Sequence, residues 1–273
     1  MKVVSKLNEK LPVGIRKETN KLYKYLPRSK KTVTKQIDGI WYELELNTLV
    51  HSQIYHYGYW EKDVTGVIEK FVKKDMVCFD IGASSGPHTL RMAKCVGTNG
   101  QVHAFEPSTV LFPKLVKHIL MNNFKNIYAQ PYALSDKIEK KMYYNNTFVK
   151  IGKEEKEVDD SMTYFETIDN YVKEQNIKKV DFIKIDVDGY ETKIITGGAK
   201  TIKTYKPIMV VEFAKKAQEK YGSSIEQIIH ILEELEYHFY RSDTLMEYQN
   251  VLDAVPENGS INVVCKELLW MYL

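Results

Sequence analysis

Phe79 to Gly86 reads FDIGASSG. Asp80 closes an apolar run, Gly82 and Gly86 frame a turn, and an amphipathic segment opens at once at Pro87. A turn of this kind presents backbone N–H groups and a helix N-terminus to a pocket. Its G-x-x-x-G spacing differs from the G-x-G-x-x-G of dinucleotide binders, and no G-x-x-x-x-G-K-[ST] phosphate loop occurs, so the turn suits a ligand without a pyrophosphate. Twenty residues past Gly86, Glu106 closes a second apolar run. A carboxylate there can accept both hydrogens of a ribose 2′,3′-diol in charge-assisted bonds. Turn and acid together point to an adenosine ligand. Taken alone, Glu106 reads equally as a strand-end acid in water.

A second cluster, Asp186, Asp188 and Glu191, lies within IDVDGYE. Three carboxylates in six residues can include a general base for a hydroxyl, contacts to a ligand's ammonium group, or ligands for Mg²⁺ or Ca²⁺. EF-hand spacing is absent, and no metal is expected. Asp186 is expected to face the pocket, whereas Asp188 reads equally as the cap of the next helix. Among the histidines, His51, His56 and His88 are candidates for accepting a hydroxyl proton near neutral pH, and His56 and His88 are retained with Asp186 as catalytic candidates. His103 and His230 fall inside a strand and a helix. Tyr59, Glu61, Asp188 and Glu212 are candidate substrate contacts, with a solvated strand end as the alternative for Glu212.

These residues need a scaffold that brings strand ends together. From Asp75 onward, short β-rich runs alternate with amphipathic segments, the order of βαβ units. Strands are predicted at MVCFDI (Met76–Ile81), QVHAFE (Gln101–Glu106), roughly Ile127–Ala133, VDFIKID (Val180–Asp186), PIMVVEF (Pro207–Phe213), Tyr237–Arg241 and Ile261–Lys266. The near-unbroken apolar character of VDFIKID fits a central strand buried on both faces. Helices are predicted from Pro87 with Leu90, Ala93 and Val96 on one face, from near Ser108, over Ile168–Gln175, over Tyr190–Thr204, and over SSIEQIIHILEELE with a capping box from Ser223 and Glu226. Residues 137–165 read as a hairpin excursion or a loop. Upstream, Asp38-Gly39 marks a hairpin and LVHSQIYHYGYWEKDV is rich in aromatics and histidine, a lid or an anchor. Residues 1–65 are thus an N-terminal arm and lid segment, and residues 66–273 an α/β domain.

The composition, 44% hydrophobic and 27% charged over 273 residues, excludes a mainly disordered chain. No stretch approaches a spanning helix and the start lacks a signal-peptide apolar core, so a soluble, cytoplasmic protein is expected. Cys78, Cys95 and Cys265 are odd in number and without metal-ligand spacing, which predicts reduced core thiols. The net charge of +3 conceals an asymmetry: residues 1–35 carry +9 and the remaining 238 carry −6. Such an arm can touch nucleic acid or anionic lipid, but its charges are interleaved with Leu and Val as on the wet face of a short helix, so a solvated arm is expected.

FDIGASSG, HAFEP, the ALSD of Ala133–Asp136, VDFIKIDVDGYE and PIMVVEF, in this order, resemble the FkbM family of S-adenosylmethionine-dependent methyltransferases over about Asp75 to Phe213, with weaker likeness in YGYWEKDV. The resemblance implies a Rossmann-like class I methyltransferase fold. Its seven-stranded, mostly parallel sheet has helices on both faces, strand order 3-2-1-4-5-7-6 and an antiparallel last strand. It implies S-adenosylmethionine as cofactor, with Asp80, Gly82, Ala83, Ser84 and Gly86 shaping the methionine side, Glu106 on the ribose, Pro107 near the adenine, Ala133 and Leu134 walling the ring, and Asp186 also in contact. The chain departs from the family in having Ser84-Ser85-Gly86 followed by Pro87-His88, and DVDG in place of DVEG. The reading that follows is an O-methyltransferase acting on a hydroxyl of a small molecule or saccharide, with the oligomeric state open. The alternatives are an NAD-dependent or nucleotide-sugar oxidoreductase, which lacks its glycine pattern here, and a nucleic-acid methyltransferase or binder using the basic arm, which lacks the Asn/Asp-Pro-Pro-aromatic motif.

Overall fold

The computed structural model describes residues 31–145 and 159–268. All but the last five residues of the basic arm, and most of the acidic run from Glu154 to Asp160, lie outside the described residues. The described chain divides into two compact units, one comprising the residues up to Trp60 with Tyr144, Asn145 and Asp159, and the other running from Glu61 to Tyr143 and onward from Asp160.

In the first unit, β1 (Thr32–Ile37) and β2 (Ile40–Glu45) form the predicted antiparallel hairpin, with Ile37 opposite Ile40. Asp38 and Gly39 both take positive φ, the backbone that matches a two-residue turn to twisted strands. Helix α1 (Leu49–Tyr57) starts at Thr48, whose hydroxyl accepts the His51 N–H, and stops at Gly58 in the left-handed region.

The second unit runs α2 (Lys62–Phe71), β3 (Val77–Ile81), α3 (Pro87–Val96), β4 (Gln101–Phe105), α4 (Leu111–Asn122), β5 (Ile127–Gln130), β6 (Ala133–Leu134), β7 (Glu139–Asn145), β8 (Asp159–Glu166), α5 (Ile168–Glu174), β9 (Phe182–Ile185), α6 (Glu191–Gly197), α7 (Ala199–Tyr205), β10 (Ile208–Phe213), α8 (Lys215–Lys220), α9 (Ile225–Glu234), β11 (Tyr237–Arg241) and β12 (Ile261–Glu267). Seven strands form one sheet in the order β11-β12-β10-β9-β3-β4-β5. Neighbours pair in parallel except at β12, which is antiparallel to both β10 and β11. Counted by appearance in this sheet, the order is the 3-2-1-4-5-7-6 expected.

Period-two alternation sorts the strands' side chains onto two faces. Phe79, Ile81, Ile183, Ile185, Met209 and Val211 pack with α5, α6, α7 and α9 through Ile168, Ile194, Ile202 and Ile228. Cys78, Val102, Phe182, Val210 and Val264 pack with α2 and α3 through Val64, Ile68, Met92 and Val96. Both faces are covered, which is why the central strands read as apolar runs. Cys78 and Cys265 are buried free thiols, as expected.

Three local expectations shift. The third run ends at Gln130, because Pro131 cannot donate to the ladder, and Ala133–Leu134 leave the main sheet to pair in parallel with Phe165–Glu166. There β6, β8 and β7 form a separate three-stranded sheet, so the 137–165 excursion contains strands. The helix predicted over Tyr190–Thr204 is two helices broken at Gly197-Gly198, and a Cβ at Gly197 would lie 2.0 Å from the Ser135 carbonyl oxygen. The capping box of α9 is Ser224 with Gln227, one residue beyond the pair expected, since the Ser223 hydroxyl donates to Gln218 instead.

Candidate active site

On the face toward α2 and α3, each of these strands changes character at the edge of the sheet formed by the carboxyl ends of the parallel strands. Cys78 gives way to Asp80, Phe182 to Lys184 and then Asp186, Val210 to Glu212, and Val264, on the antiparallel strand, to Asn262. The register makes these residues neighbours: Asp80 is opposite Lys184, Val211 is opposite Ile185 so that Glu212 follows beside Asp186, and Glu212 is opposite Asn262. A polar row therefore crosses four strands at the edge where open α/β sheets bind ligands.

The turn after β3 is held against β4. The Gly82 and Ala83 N–H groups both donate to the Phe105 carbonyl at 3.0 Å. Gly82 has φ +79°, and a Cβ there would lie 1.9 Å from the Asp186 carbonyl oxygen, so only glycine lets the turn pass this close to the end of β9. Ser84 also takes positive φ, which points its N–H at Glu106 Oε2, 2.7 Å away. The Ser108 N–H donates to Glu106 Oε1 at 2.9 Å. The strand-end-in-water alternative for Glu106 is thus overturned: it is buried, its carboxylate ties the turn to the second strand, and each oxygen keeps a lone pair for a further donor. Burial pushes its pKa up to about 7 against the pull of the Ser108 and Ser84 N–H groups.

Beside the turn, Thr89 Oγ1 donates to Asp80 Oδ2 at 2.5 Å, while Asp80 Oδ1 is buried without a hydrogen-bond partner. The nearest cation is Lys184, whose Nζ lies 3.8 Å from Asp80 Oδ1 and 3.0 Å from Asp186 Oδ2. Lys184 is 2% exposed. Burial alone would lower its pKa, but Asp186, Asp80 and Glu61 outweigh it and hold the ammonium well above the ordinary lysine range. Burial likewise opposes the Asp186 charge, and the Lys184 ammonium outweighs it, leaving the Asp186 carboxyl below its ordinary range.

Glu212 is not the solvated strand end considered from sequence. It is half-buried, and burial together with the Asp186 carboxylate pushes its pKa up to about 9, with a hydrogen bond from Ser260 opposing. On the other side of the row, His88 Nε2 lies 3.1 Å from Glu61 Oε2, and Asn262 Nδ2 donates to Glu61 Oε1 at 3.3 Å. Glu61 sits at the start of α2 with φ +43°, a conformation a non-glycine residue adopts only under constraint.

Asp188 is exposed at φ +55°, and the N-cap of α6 is Tyr190, which makes no side-chain cap bond. Glu191, the first residue of α6, accepts N–H groups of the preceding loop, from Val187 at 3.0 Å and from Gly189 at 3.3 Å. Gln218 of α8 donates to its other oxygen, and the Thr192 and Ser223 hydroxyls donate to Gln218 Oε1. This clamp holds the loop after β9 in place. Burial pushes the Glu191 pKa up to about 7 over the pull of those N–H groups. Between the ordinary glutamate value and about 7 the folded chain binds more protons than the unfolded one, so stability falls as pH rises through that window. Glu191→Gln is expected to flatten this slope in urea titrations at pH 5, 6 and 7; an unchanged slope excludes Glu191 as its source.

Of the remaining sequence candidates, Pro107 directly follows Glu106 and is half-buried, and Ala133 and Leu134 form β6. Tyr59 and His56 belong to the first unit, His56 edge-on to Tyr55 and Tyr59 stacked on Tyr57. His103 is buried between Tyr128 and the Tyr171 hydroxyl, and burial lowers its pKa to about 4, which makes it a neutral core residue. Lys184 and Asn262 were missed. Lys184 carried a readable signal, a lysine inside an otherwise apolar central strand. Asn262 carried none, since its partner Glu61 lies 201 residues away. Among the described residues no group of three His, Cys, Asp or Glu is arranged to hold a metal ion.

A glycine turn, an Asp80 carboxylate oxygen buried without a hydrogen-bond partner and a buried acid at the end of the second strand stand at one edge of a sheet with the strand order of an α/β methyltransferase. The residues present fit S-adenosylmethionine. A family model for the methyltransferase FkbM domain matches residues 80–239, and the chain belongs to this family of S-adenosylmethionine-dependent methyltransferases. Similar solved structures include a putative rRNA methylase from Clostridium thermocellum (13% identity, 74% of this chain and 92% of that one, TM-score 0.47). Others are an FkbM methyltransferase from Methylobacillus flagellatus KT (12%, 70% and 43%, 0.45) and SMU.1697c, a putative methyltransferase from Streptococcus mutans in complex with SAH (10%, 75% and 96%, 0.46). No curated protein matches the chain. No helix among the described residues is long and apolar enough to cross a membrane.

Proposed function

We propose that the chain is an O-methyltransferase whose acceptor is a hydroxyl of a small molecule or saccharide. The observation that carries this reading is the chemistry of the row next to the cradle: Asp186, with 27% of its side chain exposed, and the His88–Glu61 pair offer a hydroxyl group acceptors for its proton. Bound S-adenosylmethionine supplies an electrophilic methyl group on a sulfonium. In this reading Asp80, Gly82, Ala83, Ser84 and Gly86 hold its methionine end, Glu106 the ribose, and Pro107, Ala133 and Leu134 the adenine. Transfer is an in-line displacement in which placing the two partners supplies much of the rate. Asp186 accepts the hydrogen bond of the attacking hydroxyl. Glu61, itself anchored by Asn262, takes His88 Nε2 and leaves Nδ1 to orient the acceptor, while the exposed Asp188 adds a polar contact.

Incubation with labelled cofactor and a panel of hydroxylated metabolites and glycans, read by mass spectrometry, tests this. A methyl ether is expected, and Asp186→Asn is expected to lower kcat by about 100-fold or more. Label found only on nitrogen, on carbon or on RNA would defeat the O-methyl reading, and label on RNA would revive the role of the basic arm.

A further inference from the structure

Asp186 raises a difficulty for the reading just given, on which this inference rests. Its pKa is held below the ordinary range by Lys184, so it accepts a hydrogen bond from a hydroxyl but does not retain the proton. The row supplies a second carboxyl for that purpose. Glu212 follows Val211 on β10 as Asp186 follows Ile185 on β9, and those two residues are register partners, so the carboxyl groups stand at adjacent strand ends on one face. Glu212 and Asp186 interact directly. The groups around Glu212 are Asp186, Asp188 and Glu191 from the β9–α6 segment, Ser260 ahead of β12, and its cross-strand partner Asn262, which binds Glu61 and through it His88. All the charges in this set that bear directly on Glu212 are negative. Lys184, the buried cation of the row, is already shared between Asp80 and Asp186.

One lysine thus balances two carboxylates, and the third, Glu212, keeps its proton, with its pKa at about 9. The charge count changes with the cofactor. S-adenosylmethionine carries one more positive charge than S-adenosylhomocysteine, and the two are otherwise the same at the amino acid and nucleoside ends.

We propose that Glu212 is the resting place of the acceptor's proton: it ionises when the sulfonium charge enters the crevice and is reprotonated when methyl transfer removes that charge. The balance closes. As the oxygen–methyl bond forms, the methyl–sulfur bond breaks with its electron pair left on sulfur. The hydroxyl proton passes by way of Asp186 to the Glu212 carboxylate, so neutral Glu212 is restored and the row returns to its starting charge. A proton is released to solvent when cofactor binds, not when the methyl group moves.

Calorimetric titration of the full chain at pH 8, in two buffers of different ionisation enthalpy, counts the protons released per ligand without any turnover. Glu106 contributes equally with both ligands, because both carry the ribose. The expected result is that S-adenosylmethionine releases about half a proton or more beyond S-adenosylhomocysteine, and that Glu212→Gln abolishes the difference while still binding both. Equal release by the two ligands in the wild-type chain overturns the proposal without recourse to any variant, as does a difference that survives in a folded Glu212→Gln protein. Binding of neither ligand would instead remove the methyl-donor assignment of the crevice, and this inference with it.

Discussion

Glu106→Ala is expected to weaken S-adenosylmethionine binding by about 100-fold, the equivalent of about 2.7 kcal/mol. Two losses add. A carboxylate that accepts ribose hydroxyl groups makes charge-assisted bonds, each stronger than a neutral one. The same carboxylate also takes the Ser84 N–H at 2.7 Å and the Ser108 N–H at 2.9 Å, so removing it frees the turn that the proposed reading places at the methionine end. On the ribose assignment the ionised form is the binding form, and burial pushes the Glu106 pKa up to about 7, so wild-type affinity should rise with pH across pH 6 to 8. Glu106→Gln should bind weakly without that rise. Calorimetry with S-adenosylhomocysteine, which avoids the sulfonium, isolates the ribose contribution. Undiminished affinity in Glu106→Ala would remove the ribose assignment.

The second large effect concerns stability. Lys184→Met should cost about 3–5 kcal/mol at pH 7, since it leaves Asp80 and Asp186 facing each other across a buried site without their cation. The methionine fits the space of the lysine stem, so the loss reports the missing charge more than a cavity. The sign with pH follows from the Asp186 carboxyl, held below its ordinary range in the folded chain. That shift contributes stability above the ordinary carboxylate pKa, and the contribution is lost as pH falls through the lowered value. The deficit of Lys184→Met should therefore be largest near neutrality and narrow toward pH 3. Adding Asp80→Asn should recover part of it, by coupling between adjacent groups. Urea unfolding of the three proteins at pH 4 and 7 checks both statements; a deficit below about 1 kcal/mol at pH 7 would mean that the pair is not a buried ion pair.

Much of the fold was legible because it is written locally. Alternation and apolar runs located the strands of the main sheet, Asp38-Gly39 located its hairpin, and Pro87 after Gly86 located the start of α3, all within windows of a few residues. The misplacements have equally local causes that only contacts reveal. The capping box moved by one residue because Ser223 was engaged by Gln218, and the long helix broke where Gly197 passes the Ser135 carbonyl. Of the candidate site, the residues announced by a turn or a strand end, Asp80, Gly82, Glu106 and Asp186, were legible in the sequence, and the structure places them at one edge of the sheet. Their electrostatic partners were not found, nor was the distinction between Asp188, which is exposed, and Glu191, which is buried and holds the loop.

The sequence by itself therefore determined the alternation of strands and helices, the glycine turn and the acids that end the strands, because each depends on backbone geometry and side-chain period over a few residues. Only the tertiary structure decided which of those acids stand side by side, which share Lys184, and which bind backbone. Asp80 meets Lys184 and Glu61 meets Asn262 through strand register and helix placement, and across 201 residues in the second case no local pattern records the encounter. The charge state of the row depends on those encounters and on burial, and both exist only once the sheet has formed.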